Sequence, residues 1–210
     1  GLPTGKVADP PDFYASFFLN AGNCAALLRM AELLKLTAHE YAEKLAPCAE
    51  EFRVNLMASL DMAIENAPVI PLADGSWTPA VSAWPEQHGS TTLYADGGKW
   101  FTHGNFAGRD CMLGPLYLPY MGVCEFNSYQ VDVMLNYNQH PQTLHNAGLS
   151  QPYYSRHDIA HLARGEVKLF LQCYYHQMAA LQDRETYTFW EHYYLLSIHK
   201  THEEAWFLMQ

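Results

Sequence analysis

The sequence is poor in basic residues. Its 210 residues include 12 Lys and Arg against 22 Asp and Glu, which gives a formal net charge of -10. A protein that follows a nucleic-acid backbone needs clustered positive charge to neutralise phosphates. We therefore expect no nucleic-acid partner.

Long apolar runs are also missing. No stretch of 18 consecutive apolar residues occurs, so we expect no membrane-spanning helix and no membrane partner. No secretory leader opens the chain as given, and the compartment stays unassigned.

Several motifs of known chemistry are absent. The five cysteines are an odd number and form no Cys-x-x-Cys pair, which argues against a structural zinc site and a disulfide framework. Neither Gly-x-Ser-x-Gly nor Gly-x-x-x-x-Gly-Lys-Ser/Thr occurs, so a serine hydrolase and a phosphate-binding loop have little support. The leading interpretation includes no cofactor and no metal.

Apolar and aromatic residues are plentiful. The chain is 49% hydrophobic and contains 14 Tyr and 5 Trp, which suits one domain over residues 1–210 with a surplus of aromatic rings. Tyr and Trp are enriched at recognition surfaces because each combines an apolar face with a polar tip.

The first third of the chain predicts two long helices. Apolar residues recur at helical spacing from Asp12, a candidate N-cap, through Leu36. Thr37 and Glu40 have the spacing of a capping box, which predicts a second helix that runs to about Asn66 and is kinked or interrupted at Pro47. Such neighbours form an antiparallel αα-hairpin.

The middle and end of the chain alternate loops with helices. Turn signals at 73–76 and 95–98 predict two short β-hairpins within a long loop over 68–115. Helical patterns follow at 113–123, at 126–139 and at 159–182, where we expect a break near Gly165, and a last helix begins near Trp190. The predicted fold is mostly α, with helical hairpins of a partial (α/α) toroid and small β-hairpins in a long loop. Because the last pattern continues to the final residue, we expect a domain truncated at its C-terminus.

The richest chemistry lies in residues 183–193, which hold three carboxylates, an arginine, a histidine and four aromatic rings. Helix-capping carboxylates and core aromatics are the simplest explanation. The alternative is a polar cleft, since aromatic faces hold apolar sugar surfaces while carboxylates orient hydroxyls and move protons. Hydrolysis of a glycosidic bond needs two carboxyl groups about 5 to 9.5 Å apart. The candidates for that pair are the acids at or near predicted helix ends and loops, namely Asp110, Glu125, Asp158, Glu166, Asp183, Glu185 and Glu191.

Further aromatic, basic and acidic residues in the loops are candidates for substrate binding. They are Trp77, Trp100, His103, Arg109, Glu125, Tyr153, Tyr154, Arg156, His157, Tyr187 and Trp190.

Two histidines allow a different chemistry. His157 and His161 lie four residues apart, which places both rings on one face of a helix, as two ligands of a metal require. Ordinary hydrogen-bonding histidines are the default, because the spacing identifies no third ligand.

The chain resembles the six-hairpin glycosidase clan, the (α/α)6 toroids that include debranching glucosidases and rhamnosidases. The resemblance rests on the helical segment Phe13–Ala31 with the helix after it, on residues 70–77, and on Thr188–Tyr193, which is similar to a Thr-x-Trp-Glu segment of these families. It implies an inverting hydrolase of α-linked or deoxy-sugar glycans. Glu191 would be the base or a sugar-binding acid, and Asp110, followed by Glu185, would supply the acid.

Two alternatives remain beside the hydrolase. One is a carbohydrate-binding helical toroid without a catalytic pair, and the other is a metal-dependent enzyme that uses His157 and His161. The first two interpretations imply a carbohydrate ligand. About half of the twelve helices of a full toroid are visible, so we also expect self-association through uncovered apolar faces.

Overall fold

The computed structural model describes residues 1–5, 15–81, 83–86, 114, 116–138, 156–182, 185–187, 192–193 and 198–199. This part of the chain is mostly helical, as predicted. Its six helices are α1 (Phe17–Leu36), α2 (Ala42–Asn66), α3 (Tyr117–Tyr120), α4 (Tyr129–Asn138), α5 (His157–Ala163) and α6 (Val167–Leu181). Four short strands, β1 (Val69–Pro71), β2 (Trp77–Pro79), β3 (His192–Tyr193) and β4 (Ile198–His199), form two antiparallel pairs.

The start of α1 is defined by Ser16. Its extended backbone and its Oγ, which accepts a hydrogen bond from Leu19 N at 3.2 Å, make it the N-cap. Phe17 N also donates to Ala83 O at 2.9 Å, which joins this end of the helix to the segment after β2. The structure therefore places the cap at Ser16, whereas the predicted cap, Asp12, lies outside the described residues.

The predicted capping box at Thr37 is wrong. Thr37 Oγ1 donates to Leu33 O at 3.0 Å and to Leu34 O at 3.2 Å, so this side chain closes the C-terminus of α1 and does not open α2. Ala38 follows with a φ of 52°, the left-handed conformation that ends many helices. α2 begins four residues later, at Ala42.

α2 is continuous through Pro47, and the predicted interruption does not occur. Pro47 is exposed and is the sixth residue of the helix. Because proline has no amide proton, it removes one backbone hydrogen bond, but it does so near a helix end where several amides have no helical partner anyway. The helix ends at Asn66, as predicted.

The core lies between α1 and α2. Small side chains of α1, including Ala21 and Cys24, are fully buried and let α2 approach closely. Leu56 and Leu60 of α2 fill the interface, and both are fully buried. Leu118 of α3 and residues of α4 complete the same cluster. The predicted αα-hairpin is confirmed, since the two helices pack together across the connection at residues 37–41.

The first predicted β-hairpin is confirmed. β1 pairs antiparallel with β2, with Ile70 opposite Thr78. Asp74 Oδ1 accepts hydrogen bonds from Ser76 N at 2.9 Å and Ser76 Oγ at 2.7 Å, and Gly75 has a φ of 87°. This local chemistry fixes the turn. The second predicted hairpin, around 95–98, falls in a part of the chain that the structure does not describe.

The end of the described chain differs from the prediction. The helical pattern over 159–182 breaks at Gly165, as predicted, where a φ of 74° separates α5 from α6. The helix predicted near Trp190 is wrong at residues 192–193 and 198–199, which form β3 and β4. His, Tyr and Ile suit a strand as well as a helix over so short a window.

The described helices include none that is long and apolar enough to span a membrane.

Candidate functional site

Among the described residues, the most polar part of the interior lies on α5. Of the seven residues in this helix, three ionisable side chains are buried: His157 is 3% exposed, Asp158 0% and His161 2%. Buried ionisable groups are costly unless they are hydrogen-bonded or charge-paired, and they occur more often at functional sites than elsewhere in a fold. α5 contacts both α3 and α6.

Arg156 precedes α5 and anchors its start. The side chain is 7% exposed, and its guanidinium carbon lies 5.9 Å from the Tyr117 ring centroid and 5.3 Å from that of Tyr120, both in α3. A buried guanidinium between two aromatic rings is held by cation–π attraction. The positive charge also lies close enough to Asp158 to favour its ionised form.

Burial dominates the protonation of the two residues that open α5. Burial, followed by repulsion from His161, lowers the pKa of His157 well below its usual value, so this ring is neutral at neutral pH. Burial raises the pKa of Asp158, although the Ile159 amide, which donates to Oδ1 at 2.8 Å, and Arg156 act in the opposite direction. His157 is therefore a poor candidate for a permanently charged group.

A hydrogen-bonded network continues from His161 to the surface. His161 Nδ1 lies 2.6 Å from Glu166 Oε2, and the other carboxylate oxygen of Glu166 accepts from Arg164 Nε at 3.0 Å. Arg164 Nη2 donates to Asp132 Oδ1 at 2.6 Å, and Nη1 donates to the Phe126 carbonyl at 3.0 Å. The network thus joins α4, the segment before it and the α5–α6 turn.

The turn at Gly165 makes this network possible. Its positive φ lets the chain reverse within three residues, and Glu166 N donates to His161 O at 2.9 Å. The Glu166 side chain is thereby placed beside the His161 ring. Burial alone would raise the pKa of Glu166, but hydrogen bonds from His161 and Arg164 outweigh it, and the pKa is lowered. Glu166 is therefore an ionised acceptor that orients the imidazole.

A small cavity of about 80 Å³ lies beside this network. Its walls come from α4, α5 and the start of α6, and they consist of Asp132, Leu135, Asn136, His161, Arg164, Glu166 and Leu169. Since one water needs about 10–15 Å³ of such space, the cavity has room for a few waters or for one polar edge of a larger molecule.

The metal alternative gains no support from this geometry. Within the described residues, no three His, Cys, Asp or Glu side chains are grouped so that they could hold a metal ion. His157 and His161 lie on one helix, as the spacing predicts. The Nδ1 atom of His161 is, however, already within hydrogen-bond distance of Glu166 Oε2.

Four predicted site residues lie on the surface. Trp77 is 64% exposed on the outer face of the first hairpin, and Glu125 is exposed before α4. Glu185 and Tyr187 are exposed just after α6, and Tyr187 has a φ of 59°. A left-handed backbone is uncommon for a bulky residue and occurs most often in turns and functional segments. Tyr187 is therefore the most unusual of the four.

Arg156 and His157 are the predicted binding residues that the structure brings into one cluster, and both are interior side chains. Their contact with a ligand stays a prediction. The other predicted site residues lie outside the described part of the chain: Asp110 and Glu191 of the catalytic set, and Trp100, His103, Arg109, Tyr153, Tyr154 and Trp190 of the binding set.

The sequence did not point to Asp132 or Arg164. Asp132 is separated from its partner by 32 positions, a distance at which no spacing rule applies. A weak local signal existed at Arg164-Gly165-Glu166, where opposite charges flank a helix-breaking glycine.

Comparisons of the chain with protein-family models, with curated proteins and with solved structures gave no match.

Proposed function

We propose that this chain is a carbohydrate-active protein of the six-hairpin glycosidase type, part of an (α/α) toroid. It binds a glycan through exposed aromatic and carboxylate side chains and hydrolyses a glycosidic bond by acid and base catalysis. The helical layout supports the proposal, because helical hairpins connected by long polar segments are the building units of such toroids.

The observation that carries the proposal is the position of Tyr187. Its side chain is 74% exposed, its backbone is left-handed, and it lies in the same segment as the Thr188–Tyr193 resemblance. An exposed ring offers a flat apolar face to a sugar, and Glu185 two residues before it provides a carboxylate for sugar hydroxyls. This pairing fits a glycan and fits an anionic ligand poorly.

Binding is tested with Tyr187→Ala against a matched control. Tyr175 is also an exposed tyrosine, 62% exposed on α6, and lies outside the proposed surface. Loss of one stacking ring is expected to weaken binding by about 1.4 kcal/mol, which is tenfold in Kd. Titration with α-linked gluco-oligosaccharides and with rhamnose-containing glycans should show this loss in Y187A and not in Y175A. Equal effects of the two substitutions would contradict the proposal.

Catalysis is tested with Glu191→Gln, Asp110→Asn and Glu185→Gln. If the chain hydrolyses glycans, removal of the base or acid should lower the rate by about 10²–10⁴-fold while binding is retained. Product analysis should also show inversion at the anomeric carbon. Glycan binding without turnover by the unmodified protein would leave the second interpretation, a carbohydrate-binding toroid without a catalytic pair.

A further inference from the structure

The charged residues of the network around His161 hold its ring in one orientation. Arg164 uses its three guanidinium nitrogens on three different partners, and Glu166 uses both carboxylate oxygens. Both charged residues are thus engaged with protein groups, and together they fix the ring of His161. The ring is the end of the network and also lines the cavity.

The bond to Glu166 sets the chemistry of the other ring nitrogen. An ionised carboxylate 2.6 Å from Nδ1 favours the tautomer that carries its proton on Nδ1. Nε2 then has a lone pair and accepts hydrogen bonds. Within the described residues, Glu166 is the hydrogen-bond partner seen for this ring, and it contacts the Nδ1 side.

The remaining cavity walls also favour a ligand that donates. The Asp132 side chain is 52% exposed, and one of its oxygens is bonded to Arg164. Asn136 adds an amide, and Leu135 and Leu169 add apolar surface. Two carboxylates against one guanidinium give this site a net negative charge, which disfavours phosphates and carboxylates.

We propose that this cavity, which we name the His161 cavity, is a subsite for a hydroxyl-bearing edge of a neutral sugar, with His161 Nε2 accepting a hydrogen bond from the hydroxyl group. This inference rests on the proposed function and specifies a place where the glycan is held. The volume of about 80 Å³ admits an edge of a sugar ring with its hydroxyl group and excludes a full oligosaccharide.

The tautomer of His161 is the first test. Long-range ¹H–¹⁵N NMR spectra of the full chain, with His161 assigned by comparison with His161→Gln, should show the Nδ1–H tautomer at pH 7.5. An Nε2–H tautomer or a fully protonated ring at this pH would overturn the proposal, because Nε2 would then be a donor.

Sugar binding is the second test. Titration with D-glucose and with L-rhamnose should shift the His161 Nε2 resonance, and the Kd measured from other resonances should rise at least tenfold in H161Q. His39 is an exposed histidine between α1 and α2, so H39Q is the matched control and should leave the Kd unchanged. Because H161Q alters a buried side chain, Asp132→Asn provides a second variant at a half-exposed wall, and it should weaken binding without unfolding the chain.

The outcomes separate the two proposals. Oligosaccharide binding that depends on Tyr187 while the His161 resonance stays unchanged would overturn the His161 cavity and leave the proposed function intact. A sugar-dependent shift at His161 with no effect of Y187A on oligosaccharides would support the cavity and contradict the surface on which the proposed function depends.

Discussion

Arg164→Ala is the most informative change to stability. It removes three hydrogen bonds at once, to Glu166, to Asp132 and to the Phe126 carbonyl. The side chain is 16% exposed, so these bonds are only partly screened by solvent. The substitution also leaves Glu166, which is 31% exposed, with its bond to His161 and no cation beside it.

The expected loss follows from the burial of each partner. The bond to Asp132 contributes about 0.2–1 kcal/mol, because that side chain is 52% exposed. The bonds to Glu166 and to the Phe126 carbonyl are less exposed and contribute about 1 kcal/mol each. We therefore expect R164A to lower the free energy of unfolding by about 2–3 kcal/mol, which for a domain of this size lowers Tm by about 4–12 °C.

Double-mutant cycles measured by urea unfolding test the reasoning. The coupling of Arg164 to Glu166 should exceed its coupling to Asp132, because the first pair is more buried. Arg53→Ala is the matched control: Arg53 pairs with Glu50 within one exposed helical turn, and its removal should cost clearly less. A loss below about 1 kcal/mol for R164A, or equal losses for the two arginines, would refute the argument from burial.

Three further predictions concern the backbone, a buried base and the thiols. Ala38→Gly should stabilise the chain and Gly165→Ala should destabilise it, each by about 1 kcal/mol in thermal unfolding, because both positions have a positive φ. Because the pKa of His157 is lowered in the folded state, the unfolded state binds a proton there at a pH at which the folded state does not. The free energy of unfolding should therefore fall as the pH drops below about 6.5, with a slope of up to about 1.4 kcal/mol per pH unit. His157→Gln should flatten that slope and leave the pH dependence above pH 7.5 unchanged. Equal slopes below pH 6.5 in the variant and the unmodified chain would contradict this prediction. Alkylation of the native chain, mapped by mass spectrometry, should modify exposed Cys48 well before Cys173, whose pKa burial raises to about 12, and comparable rates would count against the described burial.

Local signals in the sequence predicted most of the described fold. The long helices follow from apolar periodicity, the first hairpin from Asp74 and Gly75, and the break between α5 and α6 from Gly165. Each of these depends on residues that are close together in the chain. Such signals carry over to the structure because tertiary packing reinforces them here.

The errors lie where one local pattern fits two structures. Thr37 stands at the boundary of two helices, and its hydroxyl satisfies the carbonyls of α1 in place of the amides of α2. The residues of β3 and β4 have side chains that suit either a strand or an amphipathic helix, and cross-strand pairing decided between them. Propensity alone does not resolve such cases.

The candidate site was only half predictable. The spacing of His157 and His161 placed both on one helix, and the structure confirms that placement. The contact between Arg164 and Asp132 joins two helices, so it depends on how α4 packs against the α5–α6 turn. No pattern along the chain encodes that packing.

Pro47 has a consequence for the hydrogen exchange of α2. Because proline has no amide proton, the Glu43 carbonyl lacks its usual partner, and residues 42–48 include no fully buried side chain. The first turn of α2 can therefore open while the helix from Ala49 onward stays packed. When this turn is open, residues 37–47 form one longer connection between α1 and α2. This connection should exchange deuterium early and be the preferred place for a protease to cut the αα-hairpin.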